Sequence, residues 1–392
     1  MTLFLCFMRT EAGLIAAKVP VRRLGPAPFS ACAIVRPMTA RTPIFQAPAV
    51  KEHVSVARLH RYWYVACTSR QLRKKAIART ILGIPMVLFR GPDGPAALLD
   101  RCPHRGVPLS AGKVVDGTLQ CSYHGWRFRG DGVCAAVPGL CGEATHRGRQ
   151  VRHYPVREQD GHVWVWTDPD SEPEGAPFSM GVGPGYATVR AEMMFEGSLH
   201  AVAENALDVP HTSFLHGGLF RTSEKRNEIT CKLTRSADRV ETEYLGEPRP
   251  SGLIGRLLAP GGGMVSHWDR FLLPNVTQVE YRIGEDSHVL ATQALTPVED
   301  FRTRMFAVLH FRIPRIPAWL VRLVVQPVAI GILRQDARVL VQQTEYIHRF
   351  GGEQYVSTEL DLMGPQIWHL LKMAERGELR DEPFHREVRM RV

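Results

Sequence analysis

Residues 102 to 126, CPHRGVPLSAGKVVDGTLQCSYHGW, constrain the fold of this chain more than any other stretch. Cys102 stands two residues before His104, and 17 residues further on Cys121 stands three residues before His124. Four such side chains act together only if two short loops are held face to face, so the segment asks for a scaffold of hairpins. The flanks supply one. Residues 60 to 170 read as short β segments, RYWYVAC, ARTILGIPMVLFR, AALLD, TLQCSYHGWRF and GHVWVWTD, separated by the turn phrases GPDG, GKVVDG and RGDG. A small all-β domain over residues 49–170 is expected, with both loops at hairpin-like connections.

Two thiolates and two imidazoles suit either a Cys2His2 zinc site or a Rieske [2Fe-2S] cluster with Cys on one iron and His on the other. Zinc fingers carry their cysteines together in one turn and their histidines together on a helix. Here each loop supplies one of each, as two loops clamping a two-iron cluster from opposite sides would. Pro103 and Pro108 stiffen the first loop, and Gly125 lets the second approach closely. Cys134 and Cys141 read as structural thiols, since the ligand set is already complete. The eight cysteines are too few and too scattered for a disulfide framework in 392 residues, which favours a reducing, cytoplasmic setting.

A chain of this length holds two cores. DPDSEPEGAP at 168–177 is the linker, and a second domain over 171–392 is expected. Its opening helix carries EGSLHAVAENALDVPHTSFLH, followed by alternating strands such as RVETEYLG, TQVEYRIG, HVLATQALTPV and RMFAVLHFRI and then a helical C-terminal region. An antiparallel sheet with a long helix makes an α+β domain able to enclose a cavity. Residues 1–48 read as an N-terminal extension, disordered or the product of an upstream start if translation begins at Met38. Its first 37 residues hold five basic residues and one acid, Glu11, so they supply +4 of the net +10. The remaining excess suits an acidic electron-transfer partner or peripheral contact with an anionic membrane, and no motif points to nucleic acid. The most apolar stretch, PAWLVRLVVQPVAIGIL at 317–333, is broken by Arg322, Gln326 and Pro327, so a buried helix, or one lining a greasy pocket, is expected there rather than a spanning one.

ENALDVPHTSFLH, residues 204–216, sets Asn205, Asp208 and His211 three apart and His216 five further on. On an unbroken helix His216 would fall about 140° away from His211. Pro210 offers a way out, because it removes a backbone donor and restarts the helix just before His211. Two imidazoles ask for a carboxylate to complete a 2-His-1-carboxylate iron site with open positions. Asp336 in ILRQDARVLVQQTEY is the expected third ligand, beside an apolar side marked by Leu333, Val339 and Leu340, with Glu345 as its rival.

With both sites in view, the chain resembles the large subunit of the Rieske non-heme iron oxygenases over roughly residues 50–350. Cys102, His104, Cys121 and His124 match that family's cluster motif, and Asn205, Asp208, His211 and His216 match its mononuclear-iron motif. The spacing from Asn205 to Asp208 is closer to the monooxygenases and demethylases, such as the dicamba-demethylase group, than to naphthalene-type dioxygenases. WYVA at 63–66 and LGIPMVLFR also look like that family's Rieske domain. The resemblance implies an all-β Rieske domain, a helix-grip (START-like) catalytic domain and a homotrimer. In that trimer Asp208 would bridge His211 of one subunit to His124 of its neighbour.

The resemblance also implies dioxygen as co-substrate. No dinucleotide fingerprint is present, so electrons are expected from a separate ferredoxin or flavin reductase, and ultimately from NAD(P)H. The phrases SGLIGRLLAPGGGMV and PAWLVRLVVQPVAIGIL offer aliphatic surface for a hydrophobic substrate. HWDRFLLPNVTQVEYRIG and FGGEQYVSTELDLMGPQIW look similar to bacterial sterol-demethylating members, which implies hydroxylation or oxidative demethylation of a sterol-like polycycle. The alternatives are an aromatic O-demethylase and, from another class, a Rieske electron carrier. A carrier has no use for the second set of ligands.

Overall fold

The computed structural model describes residues 55–216, 227–247, 264–284, 287–313, 316–353 and 355–391. The expected extension at 1–48 lies outside these residues, as does most of the SGLIGRLLAPGGGMV segment.

The first β region is built from three small sheets. One has the order β1-β11-β10, from β1 (Trp63–Thr68), β10 (Val156–Gln159) and β11 (His162–Trp166). A second joins β2 (Ile77–Ile81), β3 (Ile84–Gly91), β4 (Gly94–Leu99) and β9 (His153–Tyr154). The third joins β5 (Lys113–Val115), β6 (Thr118–Gln120), β7 (Arg127–Phe128) and β8 (Cys134–Ala136). Strand β3 explains the unbroken apolar run around it. Its residues alternate between two cores: Met86 and Leu88 pack with Tyr64 and Leu72, while Val87 and Phe89 pack with Leu109, Leu119 and Phe128. Cys102 and Cys121 belong to the second core, so both loops are rooted in packed side chains.

ARTILGIPMVLFR reads as one strand but forms a hairpin, with Ile81 opposite Ile84 and Leu82 and Gly83 at φ 49° and 67°. A primed two-residue turn requires positive φ at both positions, a conformation that costs a leucine free energy. Tertiary contact offsets that cost. The amides of Leu82 and Gly83 donate to the carbonyls of Pro297 and Val298 at 2.7 and 2.9 Å, tying the turn to the second domain.

That domain is one antiparallel eight-stranded sheet of order β12-β18-β17-β16-β15-β14-β13-β19. The strands are β12 (Ala187–Phe195), β13 (Glu228–Arg235), β14 (Arg239–Leu245), β15 (Val265–Leu272), β16 (Val276–Ile283), β17 (Ser287–Glu299), β18 (Arg302–Arg312) and β19 (Phe384–Arg391). Helices α1 (Leu199–Leu207), α3 (Ala318–Phe350) and α4 (Met363–Arg376) pack over one face, and the short α2 (Thr212–Leu215) follows α1. Ala294, Phe306 and Val308, on the other face, meet Trp63, Val65, Trp164 and Trp166 of the first domain and Met180, just after the linker. Thr296 Oγ1 donates to the Val65 carbonyl at 2.8 Å, and Arg58 pairs with Asp300 through two bonds. The stretch just after the linker is strapped as well, since Asp160 accepts from Ser179, Met180 and Gly181. The expectation of a buried helix at 317–333 is corrected. Among the described residues, α3 packs on the edge strand β12 through the side bearing Val321, Ala329 and Leu333, and its other side is left exposed.

On the helix side of the sheet, His267 is stacked between Tyr244 and Tyr281 with its nitrogens on Glu247 (2.6 Å) and Asp269 (3.0 Å). Burial lowers its pKa, but Asp269 and Glu247 outweigh that and lift it to about 9. Its ion pairing therefore stabilises the fold fully below about pH 6.5 and fades as pH rises through about 9. His267→Gln leaves both carboxylates buried without their cation, a loss of about 3–5 kcal/mol. Urea-unfolding midpoints are expected to differ by that amount at mildly acid pH and to converge well above the histidine's pKa.

Candidate metal centres

The two Cys/His loops share one backbone design. Cys102 donates to Val107 O (2.8 Å) and accepts from Gly106 N (2.9 Å), while Cys121 donates to Trp126 O (2.8 Å) and accepts from Gly125 N (3.1 Å). In both loops the glycine four residues after the cysteine takes the left-handed conformation, φ 74° at Gly106 and 71° at Gly125. A side chain is strained there, so each turn needs its glycine. Gly125 is the one the sequence pointed out; Gly106 is its structural twin, hidden because its histidine lies one position earlier. Burial separates the ligand types. The cysteines sit in the core, whereas His104 is half-buried and His124 exposed. Their rings meet edge to face at 4.5 Å, and His104 stacks on Trp126 at 4.7 Å, a support the sequence reading passed over.

Two observations bear on what this cradle fits. His104 Nδ1 is buried without a hydrogen-bond partner, a costly state for an imidazole nitrogen unless something else binds it. The four loop residues also do not close around a single ion. Among the described residues, the one group of three or more His, Cys, Asp or Glu side chains with ligating atoms all within 4.8 Å lies elsewhere. A wider, two-metal cluster fits the loops better than one zinc. Burial foremost pushes the Cys102 thiol up to about 11, so ionising it as a ligand requires the charge of a bound metal. Cys134 is buried, as expected of a structural thiol; Cys141 is exposed, against that expectation.

The compact group is His211, His216 and Asp336. Ser198 caps the start of α1, its hydroxyl accepting from Ala201 N at 3.1 Å. The helix ends at Leu207, and Asp208 is already extended at φ −88°, ψ 106°, because Pro210 supplies no amide and its ring disfavours a helical Val209. The chain restarts at His211, whose carbonyl accepts from Phe214 and Leu215. This break lets residues five apart converge. The two Nε2 atoms are 3.3 Å apart, and Asp336 Oδ1 stands 3.0 Å from His216 Nε2 and 3.7 Å from His211 Nε2. Asp336 is buried on α3, and its Oδ1 has no hydrogen-bond donor. Glu345, nine residues along the same helix, is half a turn off that face and exposed. Leu333 and Leu340 are buried beside Asp336, but Val339 is exposed, so the apolar side is narrower than expected.

The outward nitrogens are held too. His216 Nδ1 meets Gln335 Oε1 at 2.7 Å, and Asp208 Oδ2 lies 3.4 Å from His211 Nδ1. Burial lowers the pKa of His216, yet Asp336 and Gln335 together raise it. Gln335 was missed in the sequence, where only its position beside Asp336 hinted at it. Asn205 lies half-buried on the last turn of α1. Glu204, also overlooked, shares a cavity of about 80 Å³ with Asp208 and Asp361. Gly364 leaves the room for it, since a Cβ there would stand 1.8 Å from its carboxylate.

Comparison with known proteins adds two family matches, a Rieske [2Fe-2S] domain over residues 62–155 and a vanillate O-demethylase oxygenase C-terminal domain over residues 195–372. The chain is 42% identical over 158 residues to the oxygenase component of dicamba O-demethylase from Stenotrophomonas maltophilia, covering 39% of this chain and 46% of that one. It thus spans about half the length of the curated relatives it matches, or less. The solved structure of dicamba monooxygenase bound to dicamba superposes with a TM-score of 0.68 at 26% identity, covering 82% of this chain and 99% of that one. The same enzyme with non-heme iron and dicamba gives 0.63 at 25% identity, over 83% and 99%.

Burial foremost, with Asp208 and Asp361, raises the Glu204 carboxyl from 4.5 to about 7. A carboxyl raised on folding costs stability as pH climbs from 4.5 through 7, because the folded state resists ionising it. Glu204→Gln is therefore expected to unfold at higher urea than the native chain at pH 8, by up to about 3 kcal/mol, and at an equal midpoint near pH 4. An unchanged difference across that range would remove the buried-acid reading.

Proposed function

We propose that the chain is a Rieske non-heme iron oxygenase, which uses dioxygen and externally supplied electrons to hydroxylate or oxidatively demethylate an apolar small molecule. The observation that carries the reading is the convergence of two imidazoles and one buried carboxylate in a chain that also holds a Rieske domain. Its cofactors are a Rieske [2Fe-2S] cluster and a mononuclear non-heme iron. Cys102, Cys121, His104 and His124 would hold the first, and His211, His216 and Asp336 the second. The cluster supplies one-electron storage and the iron supplies redox chemistry with dioxygen.

The chain's own residues set up both sites. Gln335 fixes the ring of His216 through Nδ1, leaving Nε2 to face the site, and Asp208 is placed to do the same for His211. Asp336 presents an oxygen without a donor toward the same point. The cluster loops belong to the domain packed on one face of the large sheet, and the triad lies on the helix side of the other. That separation supports a homotrimer in which His124 of one copy approaches Asp208 of the next. Two exposed rings support it as well: Tyr123, against His124 at 3.9 Å, and Phe214 on α2 beside the triad. A ferredoxin or reductase completes the system, in a cytoplasmic setting.

For the substrate, the O-demethylase relatives favour an aromatic ether over the sterol-like polycycle that the sequence phrases suggested. Dioxygen uptake with a surrogate reductase is expected to rise with a methoxylated aromatic and to release formaldehyde. Uptake driven only by sterols would reverse that preference, and uptake with neither would sink both. Asp208→Asn is expected to cut turnover ~10–100-fold while the cluster is still reduced at the native rate. Full turnover in that variant would contradict the role given to Asp208.

A further inference from the structure

The first four turns of α3 carry two apolar faces where one is accounted for. Val321 packs with Ala187, Val189, Phe311 and Ile313, and Ala329 and Leu333 continue that buried side. At 100° per residue, Trp319, Leu320, Leu323, Val324 and Pro327 fall in a sector about 140° wide on the other side. Trp319 and Leu323 are 65% and 66% exposed, Leu320 and Val324 36% and 40%. Scattered exposed leucines are ordinary, but a continuous stripe with a tryptophan at helical spacing marks a surface that something covers.

Charge selects the occupant. On the stripe's own helix, residues 318 to 335 include two arginines, Arg322 and Arg334, and no acid. Arg322 borders the stripe on one side, and Arg334 and Arg338 continue its line toward the C-terminus, all three exposed. Pairing this sector with its own copy would bring like charges together. Anionic lipid headgroups complement it, with the apolar side chains entering the acyl boundary and the arginines at the headgroup level. The helix is long and apolar enough to cross a membrane, with an 18-residue window of mean hydropathy 1.2. Because Val321, Ala329, Leu333 and Asp336 are packed against the protein, it lies on a bilayer rather than through one.

We propose that the exposed apolar sector of α3, Trp319 to Pro327, is a docking surface that seats this chain on an anionic lipid bilayer. The proposal stands apart from the oxygenase reading, since its test reads binding and not turnover. Purified full-length protein is sedimented with vesicles of phosphatidylcholine, with and without phosphatidylglycerol. The native chain is expected to pellet with the phosphatidylglycerol vesicles. Trp319→Glu with Leu323→Glu, both at exposed positions, should weaken partitioning at least ~10-fold at unchanged melting temperature. Arg334→Glu with Arg338→Glu should remove the preference for phosphatidylglycerol. A native chain that stays in the supernatant overturns the proposal. So does a double variant that pellets like the native chain, which would assign the binding to another segment. A double variant that changes only the molar mass in light scattering would assign the stripe to a second copy and overturn it as well.

Discussion

Pro210 has no amide hydrogen, and the second site depends on that fact. An uninterrupted helix through residues 199–216 would send His211 and His216 to different sides. Stopping α1 at Leu207 and restarting the chain at His211 brings both Nε2 atoms to Asp336 and leaves Asp208 extended at the break, beside His211 Nδ1. A single local restriction thus places two proposed ligands and the carboxylate proposed to link the two centres. The donorless oxygen of Asp336 is the cost, and a bound cation is the natural compensation for it.

The first site rests on a different device, two reciprocally hydrogen-bonded turns rooted in one apolar core. Burying the cysteines while leaving the imidazoles toward the surface puts the softer of the proposed ligands in the driest place and the proposed exit for charge at the tip. The tryptophan-rich contact between the domains, together with the turn of Leu82 and Gly83 on β17, fixes the distance between the centres within one chain. The two centres stand on opposite sides of the large sheet within the chain, which is why the proposed route for electrons runs through a neighbouring copy.

Much of this was readable from spacing, because metal chemistry restricts residue type and interval more tightly than folding does. Cys102, His104, Cys121 and His124 announced themselves as two loops, and Pro210 before His211 announced the break. What stayed hidden has physical reasons. The turn at Leu82 and Gly83 is stabilised by Pro297 and Val298, more than two hundred residues away, so no local signal marks it. Gln335 and Glu204 matter through neighbours brought in by tertiary packing. Apolar content alone could not tell which side of α3 would find a partner, and the expectation of burial failed because the helix lies on an edge strand.

The central claim is that one polypeptide holds a two-iron cluster in its loops and a separate iron at the paired imidazoles. Iron and acid-labile sulfide measured on anaerobically prepared protein test it most directly. The account predicts about three irons and about two sulfides per chain, with His211→Ala plus His216→Ala losing one iron and neither sulfide. Zinc in the loops, or an iron content that the double variant leaves unchanged, would contradict it.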